Sequence, residues 1–190
     1  MTGKSWIVRG SRYLTICPTA RLTDEINPTM KSINLSQALK QKNRVAGEIA
    51  RLREIVQREN SRKEKQPARA DVRFAFDQSV KQSRELAAFK GLIAAANAGV
   101  TDLERGIYGK LNLQAELRGL IAFLKTLNTK EGEEVERVGF LSRDEAVSTV
   151  YVAVITRDEV DRQSAEWQAE IERLQDEIDE FNAATRIALN

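Results

Sequence analysis

A heptad-like stripe near the C-terminus does most to limit the folds open to this chain. Val160, Ser164, Trp167, Ile171, Leu174, Ile178 and Phe181 recur at alternating spacings of four and three residues. That is the period of a helix whose apolar seam is covered by other helices. Taken from Asp158 to Ala188, the helix would approach about 45 Å at 1.5 Å per residue. It outreaches a compact globule and calls for long partner helices.

Three further stripes supply them. Leu35, Leu39, Val45, Ile49, Leu52 and Val56 predict a first helix over about 34–60, with Ser32 or Asn34 as its cap. The charged run Arg62, Lys63, Glu64, Lys65, Gln66 before Pro67 reads as a surface connection. Val72, Phe76, Val80, Leu86, Phe89 and Ile93 predict a second helix over about 70–98, stopped by Gly99. Gly106 and Gly109, on either side of Tyr108, predict a turn within 101–110. Leu113, Leu117, Leu120, Ile121, Leu124 and Leu127 then predict a third helix over about 111–128. Asn34-Leu35 with Leu39 and Ile49 is echoed by Asn112-Leu113 with Leu117 and Leu127, so helices one and three read as related openings of two hairpins.

Between the third and fourth helices the pattern changes. Val135, Val138 and Phe140 precede the polar bend Ser142-Arg143-Asp144-Glu145, and a β-branched and aromatic run follows at Val147, Val150, Tyr151, Val152, Val154 and Ile155. This predicts a two-stranded β-ribbon over about 134–156. An isolated hairpin is marginal in water, so the ribbon must rest on a helix or on a second subunit. The expected architecture is mainly α: a four-helix antiparallel bundle, or a pair of coiled-coil hairpins, with a small two-stranded ribbon, all in one domain over 30–190. Residues 1–29 carry Lys4, Arg9, Arg12 and Arg21 against Asp24 and Glu25. They read as a basic arm, or as sequence upstream of a start at Met30.

Composition narrows the chemistry. The 190 residues include no histidine and a single cysteine, Cys17. Without histidine the commonest general base, metal ligand and pH switch are missing together. One cysteine makes neither an internal disulfide nor a four-cysteine zinc site. Gly106, Tyr108 and Gly109 match neither a phosphate-binding loop nor a dinucleotide fingerprint. Glu131, Glu133, Glu134 and Glu136 lack the register and central glycine of a calcium loop, and read as a solvated acidic turn. The expectation is a non-catalytic, cytoplasmic protein with no cofactor and no metal. The longest apolar run, Val150 to Ile155, has six residues, far short of the roughly 18 needed to span a membrane.

Net charge is only +2, but it is unevenly spread. Lys40 to Arg69 holds ten basic and four acidic residues, whereas Glu131 to Asn190 holds sixteen acids and six arginines. Charges of opposite sign beside coiled-coil seams set partner choice, which predicts that helices one and four flank each other. The other reading of the basic segment is an anion contact through Arg58, Arg62, Lys63 and Lys65, for nucleic acid or an anionic surface.

The order of these elements resembles the septicolysin-like family of small bacterial helical proteins. The resemblance spans roughly Ile33 to Leu189. It is carried by Leu35-Ser36-Gln37-Ala38-Leu39 with Arg51-Leu52-Arg53, by Ser142-Arg143-Asp144-Glu145 followed by Thr149-Val150, and by Ile178 with Asn182 and Thr185. It implies a helical, coiled-coil fold, brings no enzymatic chemistry, and by the family's name adds membrane lysis as an alternative activity. The expected function is therefore that of a self-associating interaction or scaffold protein, a homo-oligomer. Its expected contacts are Val150, Tyr151 and Val152 on the ribbon and Trp167, Ile171, Leu174 and Ile178 on the seam.

Overall fold

A computed structural model describes residues 33–100, 102–138 and 145–186. The basic arm, Cys17, Met30, Phe140, Ser142, Arg143 and Asp144 of the polar bend and the last four residues lie outside them. The element order is α1 (Leu35–Glu59), β1 (Ser61–Lys63), α2 (Val72–Ala98), α3 (Asp102–Lys125), β2 (Gly132–Val138), β3 (Glu145–Ala153) and α4 (Arg157–Ala184). The protein is mainly helical, with a small three-stranded antiparallel sheet.

Local chemistry sets most helix ends. Asn34 begins α1 in a reciprocal cap: its side chain accepts the Gln37 N–H at 2.8 Å, and its own N–H donates to Gln37 Oε1 at 3.2 Å. Asp71 accepts the Phe74 N–H at 2.9 Å to start α2, and Gly99 ends that helix in the left-handed region at φ 65°. Thr156 accepts the Glu159 N–H to start α4. The last helix stops at Ala184, four residues before the expected 188, where Thr185 turns extended and bonds back to the Phe181 carbonyl.

One helix start departs from the sequence pattern. The predicted turn at 101–110 is the opening of α3, which begins at Asp102 and carries Gly106 and Gly109 within it. Packing explains the outcome. A Cβ on Gly91 of α2 would lie 2.8 Å from Gly109 Cα and 2.9 Å from Gly109 N, so α2 and α3 approach backbone to backbone at this pair. Tertiary contact here overrides the roughly 1 kcal/mol per glycine that disfavors a helix. The hairpin echo fails at the same place: Asn34 caps a helix, while Asn112 lies inside α3 with its amide donating to the Tyr108 carbonyl at 2.8 Å.

The core draws on every helix. Leu52 and Val56 of α1, Val72, Ala75 and Phe76 of α2, Leu117, Leu120, Ile121, Phe123 and Leu124 of α3, and Val160, Trp167, Ile171 and Leu174 of α4 form one buried cluster. Helix α1 packs on α2, α2 on α3, and α3 on α4. Two bidentate ion pairs then tie α2 to α4: Arg73 to Glu159, and Arg84 to Glu170 at 2.8 and 2.7 Å. Both partners sit 86 residues apart, so α2 and α4 run in the same direction. The expected charge pairing of helices one and four is corrected here. Among the described residues, the ion pairs of α4 to other elements reach Arg73, Arg84 and Lys110, on α2 and α3.

The expected two-stranded ribbon has a third strand. The order is β1-β3-β2, and β1 comes from the segment read as a surface connection. Asn60 causes this. Fully buried just past α1, it donates from Nδ2 to the carbonyls of Asn128 and Ile155 at 2.9 and 3.0 Å, and its Oδ1 accepts the Ile155 N–H at 2.8 Å. Its backbone carbonyl accepts the Val154 N–H at 3.0 Å. The residues that follow are thereby laid alongside β3, pairing Ser61 with Ala153 and Lys63 with Tyr151.

Candidate functional site

Sheet register decides which predicted contact residues act together. Val150 and Val152 project from one face, beside Glu133 and Arg62 as their cross-strand partners, and Val135 joins them opposite Ser148. Tyr151 projects from the other face, opposite Gly132 and Lys63, with Lys130 Nζ 4.0 Å from its ring center. The three ribbon contacts thus divide between two faces. The acidic run Glu133, Glu134 and Glu136 is strand β2, not a turn.

No described side chain of the sheet is buried. Val135 is 59% exposed, Val150 39% and Val152 38%, so the valine face is an open apolar patch flanked by Arg62 and Glu133. The sheet is fastened at one end, to the helices through Asn60 and through Arg73 Nη2 on the Val154 carbonyl at 2.9 Å, and to the connection after α3 through Ser61 Oγ on the Lys130 carbonyl at 2.6 Å. Strand β2 is an edge, its outer backbone groups facing no other strand among the described residues.

The seam residues meet a different fate. Trp167, Ile171, Leu174 and Ile178 are all buried inside the single chain, Trp167 to 3% exposure. They are core residues and present no surface to a partner, which corrects their place among the contacts. Gln114 of α3, also buried, completes this packing by donating to Gln175 Oε1 at 2.9 Å.

The predicted anion contacts also divide. Arg58 and Arg62 line one cleft of about 280 Å³, together with Glu59, Ser61, Gln66, Pro67 and Arg69. Lys63 and Lys65 line a neighboring cleft with Glu64, Gln66, Ser148, Thr149 and Val150. The two clefts meet at Gln66, which lines both. Arg69 was absent from the predicted set, and its only signal was its position two residues past Pro67 in a basic segment.

A second polar cluster lies between α1, α2 and α3. Arg53 Nη2 donates to Ser83 Oγ at 3.0 Å, and the guanidinium lies 5.4 Å from the center of the Phe123 ring. Burial pushes the Arg53 pKa down, and nearby Glu116 works in the opposite direction. Glu116 is itself held by Lys90 at 2.5 Å. These contacts staple three helices.

Among the described residues, no three Asp, Glu or Cys side chains gather as a metal site. No described helix is long and apolar enough to cross a membrane. No protein-family model matches the chain, and neither a curated protein nor a solved structure matches it.

Proposed function

We propose that this chain is a non-catalytic, self-associating interaction protein of the septicolysin-like kind, whose four helices form an antiparallel bundle that presents the sheet to a second copy. One observation carries the reading: a sheet with no described side chain buried, whose valine face exposes Val135, Val150 and Val152. Small isolated sheets are marginal in water, and an exposed apolar patch beside an open strand edge favors association.

Charge supports a second copy as the occupant. The excess of base from Lys40 to Arg69 and of acid from Glu131 onward is not cancelled by pairing of α1 with α4 within the chain. Two copies can bring these regions together. The test is the assembled mass in solution by light scattering, at low and at high salt. The intact chain is expected to exceed the monomer mass, and Val135→Glu with Val150→Glu to return it to monomer. A monomeric intact chain under both conditions would remove the proposal.

A further inference from the structure

We propose that the cleft formed by Arg58, Arg62 and Arg69 is a binding site for the phosphate groups of a small phosphorylated ligand of the pyrophosphate class. This goes beyond self-association and does not depend on it.

Three backbone segments converge on the cleft: the last turn of α1 brings Arg58, β1 brings Arg62, and the connection after Pro67 brings Arg69. Guanidinium groups are planar, permanently charged forks that match phosphate oxygens two at a time. The one acid in the lining, Glu59, is largely withdrawn: its side chain is 11% exposed and already accepts from Arg58 Nε at 3.0 Å. Arg62 donates from Nη1 to the Gln66 carbonyl, which pins the connection, and its side chain lines the cleft. Arg69 is exposed and has no hydrogen bond or ion pair among the described residues. Arg58 is also shared with Glu54, at 4.0 Å and outside the lining, so three cations and one acid leave the lining a net charge of +2 that rests chiefly on Arg62 and Arg69, and α4 contributes no counter-charge to it.

The lining also selects among phosphate carriers. Sequence-tolerant binding of single-stranded nucleic acid uses aromatic side chains on which bases stack, and the cleft has none. Tyr151 is on the other face of the sheet, beneath Lys130. A volume of about 280 Å³ accommodates a small anion.

The experiment is titration calorimetry of the full chain with inorganic pyrophosphate at low salt. Saturable binding is expected, weakened about tenfold or more by Arg69→Ala and by Arg58→Ala, the loss of one charged hydrogen-bonding partner. Arg69→Lys should recover part of the affinity, because it restores charge without the fork. Unchanged melting temperature and circular dichroism of Arg69→Ala identify the loss as one of binding. Absence of saturable pyrophosphate binding, or equal affinity in the intact chain and both alanine variants, overturns the proposal. So does a single-stranded oligonucleotide that binds more tightly than pyrophosphate and loses that affinity in Arg58→Ala and Arg69→Ala, because the cleft would then be a nucleic-acid contact.

Discussion

In the helical body Val56, Leu117 and Leu120 are completely enclosed, whereas along the sheet Val135, Val150 and Val152 face water. The same residue type, valine, thus has opposite surroundings within one chain. The body buries most of its apolar stripes, although Leu35 and Leu39 of the predicted first stripe, with Phe74, Leu92 and Leu111, stay exposed. The sheet joins it through a few polar anchors, chiefly buried Asn60 and the Arg73 fork. Hydrophobic burial holds the first region, and hydrogen bonds position the second. Apolar area left over on the second is therefore available for association.

Mutations can break this contrast. Trp167→Ala should cost about 3–5 kcal/mol in chemical denaturation, because it empties a core site; a loss below 1 kcal/mol would mean that the seam is not the center of the body. Asn60→Ala should cost about 2–3 kcal/mol by leaving the Ile155 N–H and two carbonyls without partners. Amide exchange in β3 should rise with it, more than exchange in α3. Gly91→Ala should cost about 1–3 kcal/mol, since the clashing atoms belong to the Gly109 backbone and cannot swing away. Gly119→Ala, in open space on the same α3, should instead add up to about 1 kcal/mol.

Acid sharpens the contrast more gently. The hydrogen bond from Arg73 holds the Glu159 carboxyl below its ordinary value, and the hydrogen bond from Arg84 does the same for Glu170, with burial opposing both. A carboxylate depressed in the folded state stabilizes above its unfolded pKa, and that contribution is lost as pH falls through the folded value. Stability should therefore drop below about pH 4.5, and Glu159→Gln or Glu170→Gln should flatten the drop. Because the arginines are well exposed, each pair is worth at most about 1 kcal/mol. Smallest in stability is Val135→Ser, within about 0.5 kcal/mol by melting, although it should lower the assembled mass.

Legibility followed the reach of each interaction. The caps Asn34 and Gly99 were readable because they act over three or four residues. So was the seam from Val160 to Ile178, because a 3.5-residue period records a buried face directly in the chain. The opening of α3 was not readable, since two glycines favor a turn until Gly91 from another helix is set against them. Strand β1 was missed for a similar reason: three residues carry no period, and only the Asn60 clasp to Ile155 makes them a strand. In the basic site, charge alone pointed to Arg58 and Arg62. Grouping them with Arg69, and separating them from Lys63 and Lys65, required the course of the chain from β1 past Pro67.

By itself, then, the sequence determined the helical class, most helix limits, the buried seam and the excess of cations over 40–69, because each is written in local spacing or in composition. Tertiary structure alone decided that the seam around Trp167 is covered within one chain and not by a second copy, that Val135, Val150 and Val152 share an open face, and that three arginines meet in one cleft. Those outcomes depend on contacts between residues far apart in the chain, and no local pattern encodes which distant partner will be there.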